Sequence, residues 1–116
     1  MDAGWTSYTD DIPKLIKAFK KSSVVISAWY NDKLVGLVRA MTDKETILFI
    51  QDLLIINTFK RKGIASTLLK IVMNKYQVRQ TILQTDKLDG VLNAFYQKLG
   101  FIKSEDLETQ SYILCR

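Results

Sequence analysis

The sequence predicts an α/β (α+β) domain built on a mixed, mostly antiparallel sheet, and three observations carry that prediction. A β-rich run at 24–30 and a second at 34–40 flank the turn Asn31-Asp32-Lys33, the pattern of a hairpin. A near-continuous apolar run at 46–56 is followed by an amphipathic stretch at 63–76 and another β-rich run at 79–85, which reads as strand, crossover helix and parallel strand. A helical stretch at 89–99 and two closing strands, at 101–103 and 110–114, complete the order. Elements in this order bury their apolar surfaces by placing helices on both faces of the sheet.

Each element has its own justification. Residues 11–21 begin after Asp10, carry Pro13 early and end in lysines, all favourable to the helix dipole. Ile12, Leu15, Ile16 and Phe19 supply the buried face, and Lys14, Lys17, Lys20 and Lys21 the solvated one. The run at 46–56 is apolar at nearly every position, which predicts burial on both faces, and residues 41–45 form a polar connection to it. Leu68, Leu69, Val72 and Met73 form the core stripe of the next helix, with Lys70 and Asn74 facing out. In the last helix Leu92, Phe95, Tyr96 and Leu99 fall at helical spacing, and Gly100 is placed to end it.

Composition narrows the function classes. At 116 residues the chain is expected to form a single domain, 1–116, with one core. With 47% hydrophobic and 25% charged residues, neither a disordered nor a membrane-embedded class is indicated. The apolar runs are too short to span a bilayer and the N-terminal stretch is polar and acidic, so a cytoplasmic location is expected. There is no histidine and a single cysteine, Cys115, which argues against Cys–His and Ser–His catalysis and the usual zinc sites; no metal is expected. A net charge of +5 points to an anionic partner, either nucleic acid, an acidic membrane surface or a phosphorylated cofactor. Without a recognised nucleic-acid motif or exposed aromatics among the lysines, the expectation is a phosphorylated ligand, with no nucleic acid and no membrane partner.

The turn Lys60-Arg61-Lys62-Gly63-Ile64-Ala65 has the makings of that anion site. The leading N–H groups of a helix have no internal acceptor, and the helix dipole puts partial positive charge there. A phosphate or pyrophosphate satisfies both. Gly63 permits close approach and positive φ, Ala65 is small, and Ser66 and Thr67 offer hydroxyls. Neither the P-loop spacing nor G-x-G-x-x-G occurs, so triphosphatase and dinucleotide folds are not supported.

With its preceding strand this turn resembles motif A of the GNAT superfamily of N-acyltransferases, Q/R-x-x-G-x-G/A, here Lys60-x-x-Gly63-x-Ala65. The segment 93–101, NAFYQKLGF, resembles the family's A-x-x-F-Y-x-x-x-G-F block through Ala94, Phe95, Tyr96, Gly100 and Phe101, with a shorter spacing after Ala94. The resemblance implies a GNAT-like sheet whose parallel pair splays apart. It also implies acetyl-CoA as cosubstrate, its pyrophosphate on Lys60, Arg61, Lys62, Gly63, Ile64, Ala65 and Ser66 and its pantetheine arm along the backbone of Leu53, Leu54 and Ile55. Tyr96 would be the general acid to the CoA thiolate, in direct acetyl transfer to a primary amine, small molecule or protein. The family's cofactor-contacting Asn, three residues before the helix alanine, is missing, since Val91 stands there; Asn93 is the nearby substitute. Asp52, the only acid within the central strand, is either the general base or half of a structural ion pair.

Residues 4–8, GWTSY, resemble the family's aromatic loop, and Trp5, Tyr8, Trp29 and Tyr30 line the acceptor pocket or belong to the core. The loop, with IQDLLI and KRKGIA, most resembles a branch that includes relatives of plant arylalkylamine acetyltransferases, implying an amine with an apolar body. The family usually has a strand and a helix ahead of this loop, and without them the strand at 24–30 would be an exposed edge. Either a shortened N-terminus or a partner chain, as in a homodimer, would account for it. A non-catalytic CoA-binding regulatory or interaction module is the alternative to the enzyme.

Overall fold

A computed structural model describes residues 12–116. Along the chain run α1 (Ile12–Lys21), β1 (Val24–Tyr30), β2 (Lys33–Thr42), β3 (Ile47–Ile55), α2 (Ile64–Lys75), β4 (Gln80–Leu83) and α3 (Gly90–Lys98). The chain divides into two compact units, residues up to Gln84 and Thr85–Arg116.

In the first unit the hairpin is closed by Asn31 and Asp32, whose φ angles of 47° and 63° give the two-residue turn that matches strand twist. Both residue types tolerate that left-handed region. The four strands lie in the order β1-β2-β3-β4, with β1–β2 and β2–β3 antiparallel and β3–β4 parallel. Two irregularities interrupt the ladders. On β2, Val35 is the extra residue between the pairs Ala28↔Gly36 and Trp29↔Leu34. On β3, Gln51 is the extra residue between Arg39↔Asp52 and Ala40↔Ile50. β4 pairs with β3 only over Ile47 to Ile50 and then leaves it.

Side chains alternate across β2, and its two faces meet different helices. A Cβ built on Gly36 would meet the Ile64 side chain of α2 at 3.4 Å, whereas Arg39 extends its guanidinium over the Phe19 ring of α1 at 5.0 Å. Helices therefore flank this sheet on both faces, as the fold class requires. Val35 to Ala40 are buried without a break, and Leu48, Ile50, Leu54, Leu68, Leu69 and Val72 complete the core.

In the second unit Asp89 caps α3 by accepting from the Leu92 N–H at 3.0 Å, and the helix ends at Gly100, φ 101°. The expected closing strands do not form. Residues 101–103 and 110–114 have no strand pairing, Ser104–Leu107 makes a short 3₁₀ turn, and Tyr112 and Leu114 are 90% and 78% exposed. The composition at 110–114 suits a strand, but a strand exists only where a ladder partner takes its N–H and C=O groups. Among the described residues that partner is missing.

Candidate functional site

The strand β3 runs at Ile55 into a 3₁₀ turn at Asn57–Phe59 and then into the basic turn. Arg61 and Gly63 both take positive φ, 64° and 81°, so the chain reverses sharply into α2. A Cβ on Gly63 would meet nothing within 4 Å, which leaves open space in front of the turn. No side chain caps α2. The Thr67 N–H makes the first i−4 bond, to the Gly63 carbonyl at 3.0 Å, so the N–H groups of Ile64, Ala65 and Ser66 have no acceptor within the helix. The Thr67 hydroxyl donates to the same carbonyl at 2.9 Å. Lys60, Arg61 and Lys62 are exposed around these N–H groups.

Directly upstream, β3 has an open backbone edge. The Ile56 N–H donates to the Val35 carbonyl of β2 at 3.0 Å. By antiparallel alternation Leu54 and Asp52 also address β2, and the N–H and C=O groups of Leu53 and Ile55 turn to the other side, where β4 has already departed. Of the three predicted contact residues, then, Leu53 and Ile55 present backbone to the gap, and Leu54 pairs with Leu37.

Asp52 is buried and accepts from Arg39 Nε at 2.6 Å. Arg39 also donates through Nη1 to Ser22 Oγ at 3.3 Å. Of the two sequence readings of Asp52, the ion pair is the one this geometry contains.

At the hairpin end Trp29 and Tyr30 are 61% and 57% exposed, and the Tyr30 ring packs against Phe59 at 5.4 Å with the planes tilted by 53°. Trp29, Tyr30, Phe59, Lys62 and Ile64 border an open cavity of about 400 Å³. Trp5 and Tyr8 lie outside the described residues. In the second unit the Tyr96 ring sits edge-on to Phe95 and Phe101, at 5.2 and 5.9 Å, and burial pushes its phenol pKa upward. The Asn93 amide donates to the carbonyls of Asp86 and Asp89 at 2.9 and 2.7 Å, so its donors hold the loop before α3.

The sequence matches the acetyltransferase (GNAT) domain over residues 4–114. The chain belongs to the GNAT acetyltransferase family. It is 33% identical over 109 residues to the "uncharacterized N-acetyltransferase ycf52" of Pyropia yezoensis, covering 89% of this chain and 60% of that protein. It thus spans less than two thirds of that curated relative. Among solved structures, a GNAT-family acetyltransferase from Streptococcus pneumoniae TIGR4 superposes with a TM-score of 0.82 at 28% identity, covering 90% of this chain and 79% of the other. A GNAT-family acetyltransferase from Elizabethkingia anophelis, with acetyl-CoA bound, superposes with a TM-score of 0.65 at 23% identity, over 77% and 60% of the two chains.

Two residues of this GNAT domain escaped the sequence reading. Arg39 looked like an ordinary strand position, and nothing local marks it as the partner of Asp52, 13 residues away. Phe59 lies just before the basic turn, and its ring contact with Tyr30 depends on the hairpin folding toward that turn. Among the described residues no helix is long and apolar enough to cross a membrane.

Proposed function

We propose that this chain, acting as a single GNAT domain, binds acetyl-CoA and catalyses direct acetyl transfer to a primary amine. The observation that carries this reading is the succession, within one unit, of an open β3 edge at Leu53 and Ile55 and an uncapped α2 N-terminus ringed by three cations. The residues suit the ligand. The α2 N-terminus matches a pyrophosphate in charge and in hydrogen-bonding need, and the β3 edge matches an amide-bearing arm.

Bound acetyl-CoA would supply the activated thioester carbonyl. Lys60, Arg61 and Lys62, with the N–H groups of Ile64, Ala65 and Ser66, hold its phosphates. The free N–H groups at Leu53 and Ile55 align the arm and offer a donor to the negative charge that develops on the acetyl oxygen. Tyr96, a phenol already protonated at neutral pH and pushed further that way by burial, is the general acid to the leaving thiolate. The aromatic cavity at Trp29, Tyr30 and Phe59 favours an amine with an apolar body. One observation favours the second reading, a non-catalytic CoA-binding module: the carboxylate within β3, Asp52, is buried and directed at Arg39, 2.6 Å away.

Calorimetric titration of acetyl-CoA, desulfo-CoA and ADP into wild type and Gly63→Trp tests the binding reading. Binding that is lost in Gly63→Trp supports it, and no binding by wild type overturns it. An amine panel then separates enzyme from module. For Tyr96→Phe the expected loss of turnover is about 10²-fold or more with cofactor affinity retained, and unchanged turnover removes the role of Tyr96.

A further inference from the structure

We propose that the buried Arg39–Asp52 pair locks the register between β2 and β3, and so decides which backbone groups of β3 face the gap beside β4. Its structural half stands alone. Its functional consequence rests on the acetyl-CoA reading above.

The apolar residues of the two strands specify register weakly. Both faces of β2 and most of β3 are buried, so sliding one strand by a residue exchanges one apolar side chain for another. The ladder in fact contains two registers joined at Gln51. From Leu48 to Ile50 the pairing is Thr42↔Leu48, Met41↔Phe49 and Ala40↔Ile50; from Asp52 onward it is shifted by one. Continuing the first register without the bulge would set Arg39 opposite Gln51, Val38 opposite Asp52, Leu37 opposite Leu53 and Gly36 opposite Leu54. Leu37 and Gly36 face an aliphatic partner in either ladder, whereas in the straight one Val38 would exchange Leu53 for Asp52 and Arg39 would exchange Asp52 for Gln51.

The charges break the tie. Arg39 is the only charged residue inside β2 away from its first position, and Asp52 is the only one in β3. In the bulged register they are direct cross-strand partners, 2.6 Å apart on one face. In the straight register Asp52 would turn to the opposite face, a carboxylate buried among apolar groups with its cation left behind. Removing that alternative is what a buried ion pair does best. Contacts from Ser22 Oγ and the Phe19 ring hold Arg39 on the α1 side and reinforce the choice.

The consequence reaches the gap. The Thr46 carbonyl accepts from the Gln80 N–H, so before the bulge the even-numbered residues of β3 address β4. The extra residue inverts the alternation, and Leu53 and Ile55 take over that side. In the straight register the exposed groups would belong to Asp52 and Leu54. Arg39 and Asp52 are thus positioning residues for the β3 backbone donors and need not touch the substrate.

The test is the double variant Arg39→Met with Asp52→Leu, which removes both charges and strands neither. Two-dimensional NMR reads the register through the close Hα–Hα contact of the non-hydrogen-bonded pair Val38–Leu53. The lock predicts that this contact weakens and that one from Val38 to residue 52 appears. It also predicts that CoA affinity falls about tenfold or more, while adenosine 3′,5′-bisphosphate, which reaches only the basic turn, binds as to wild type. A double variant that keeps the Val38–Leu53 contact and full CoA affinity overturns the proposal. The reversed pair, Arg39→Asp with Asp52→Arg, covers the case in which the double variant does not fold. The lock predicts that it keeps the Val38–Leu53 contact, and a straight register there overturns it. Failure of wild type to bind CoA would remove the acetyl-transfer reading and leave the NMR measurement to decide the lock.

Discussion

Gly63 takes φ of 81° with open space where a Cβ would stand, so a substitution there meets backbone strain and no clash. Gly63→Ala is expected to lower stability by about 1–2 kcal/mol, read by urea denaturation, with the rest of the fold intact. Asp52 is the opposite case, tied to its surroundings by charge. Asp52→Ala alone leaves the Arg39 guanidinium buried without its carboxylate. It is expected to cost about 3–5 kcal/mol, far more than the double apolar replacement, and thermal melts of the two variants side by side check that order. The sequence marked Gly63 and Asp52 as special for different reasons, and both were legible: a glycine after three cations before a helix, and one acid inside an apolar strand. What was not legible was the partner of Asp52, because pairing across strands depends on register, and register is a property of two segments at once.

At the scale of elements, the connection between β2 and β3 is held by Asp43. Its carboxylate accepts from Thr46 Oγ1 at 2.5 Å and from the N–H groups of Glu45, Thr46 and Ile47 at 2.9, 2.8 and 3.1 Å. The Thr46 hydroxyl foremost, then these N–H groups, hold its pKa well below the ordinary 3.8. A depressed carboxylate pKa contributes stability that is present above the unfolded value and lost as pH falls through the folded one. Unfolding midpoints followed below pH 4 are therefore expected to decline in wild type, and Asp43→Asn should lack that part of the decline. The site is exposed, so the effect will be modest and screened by salt. The helices and strands of the first unit fell within a residue or two of their predicted bounds, because periodicity and turn chemistry are local. The closing strands at 101–103 and 110–114 did not, since β-rich composition supplies no hydrogen-bonding partner.

For the whole molecule, a net charge of +5 with Lys60, Arg61 and Lys62 gathered at one helix N-terminus predicts salt-sensitive binding of a polyanionic ligand. Raising ionic strength from about 0.01 to 1 M shortens the screening length from about 30 to about 3 Å. Acetyl-CoA affinity should fall across that range, and replacing all three cations with Gln should flatten the dependence; titrations at several salt concentrations read both. By itself the sequence determined the α+β class, the order of most elements, the basic glycine-containing turn before α2 and the family, since each is written in residues close together along the chain. The tertiary structure decided the rest: the bulge at Gln51, the Arg39–Asp52 pair, the tilted ring contact of Tyr30 with Phe59, and the departure of β4 that opens the edge at Leu53 and Ile55. These depend on how distant segments align, and in strands apolar on both faces local pattern leaves alignment open until buried charges and backbone hydrogen bonds choose one.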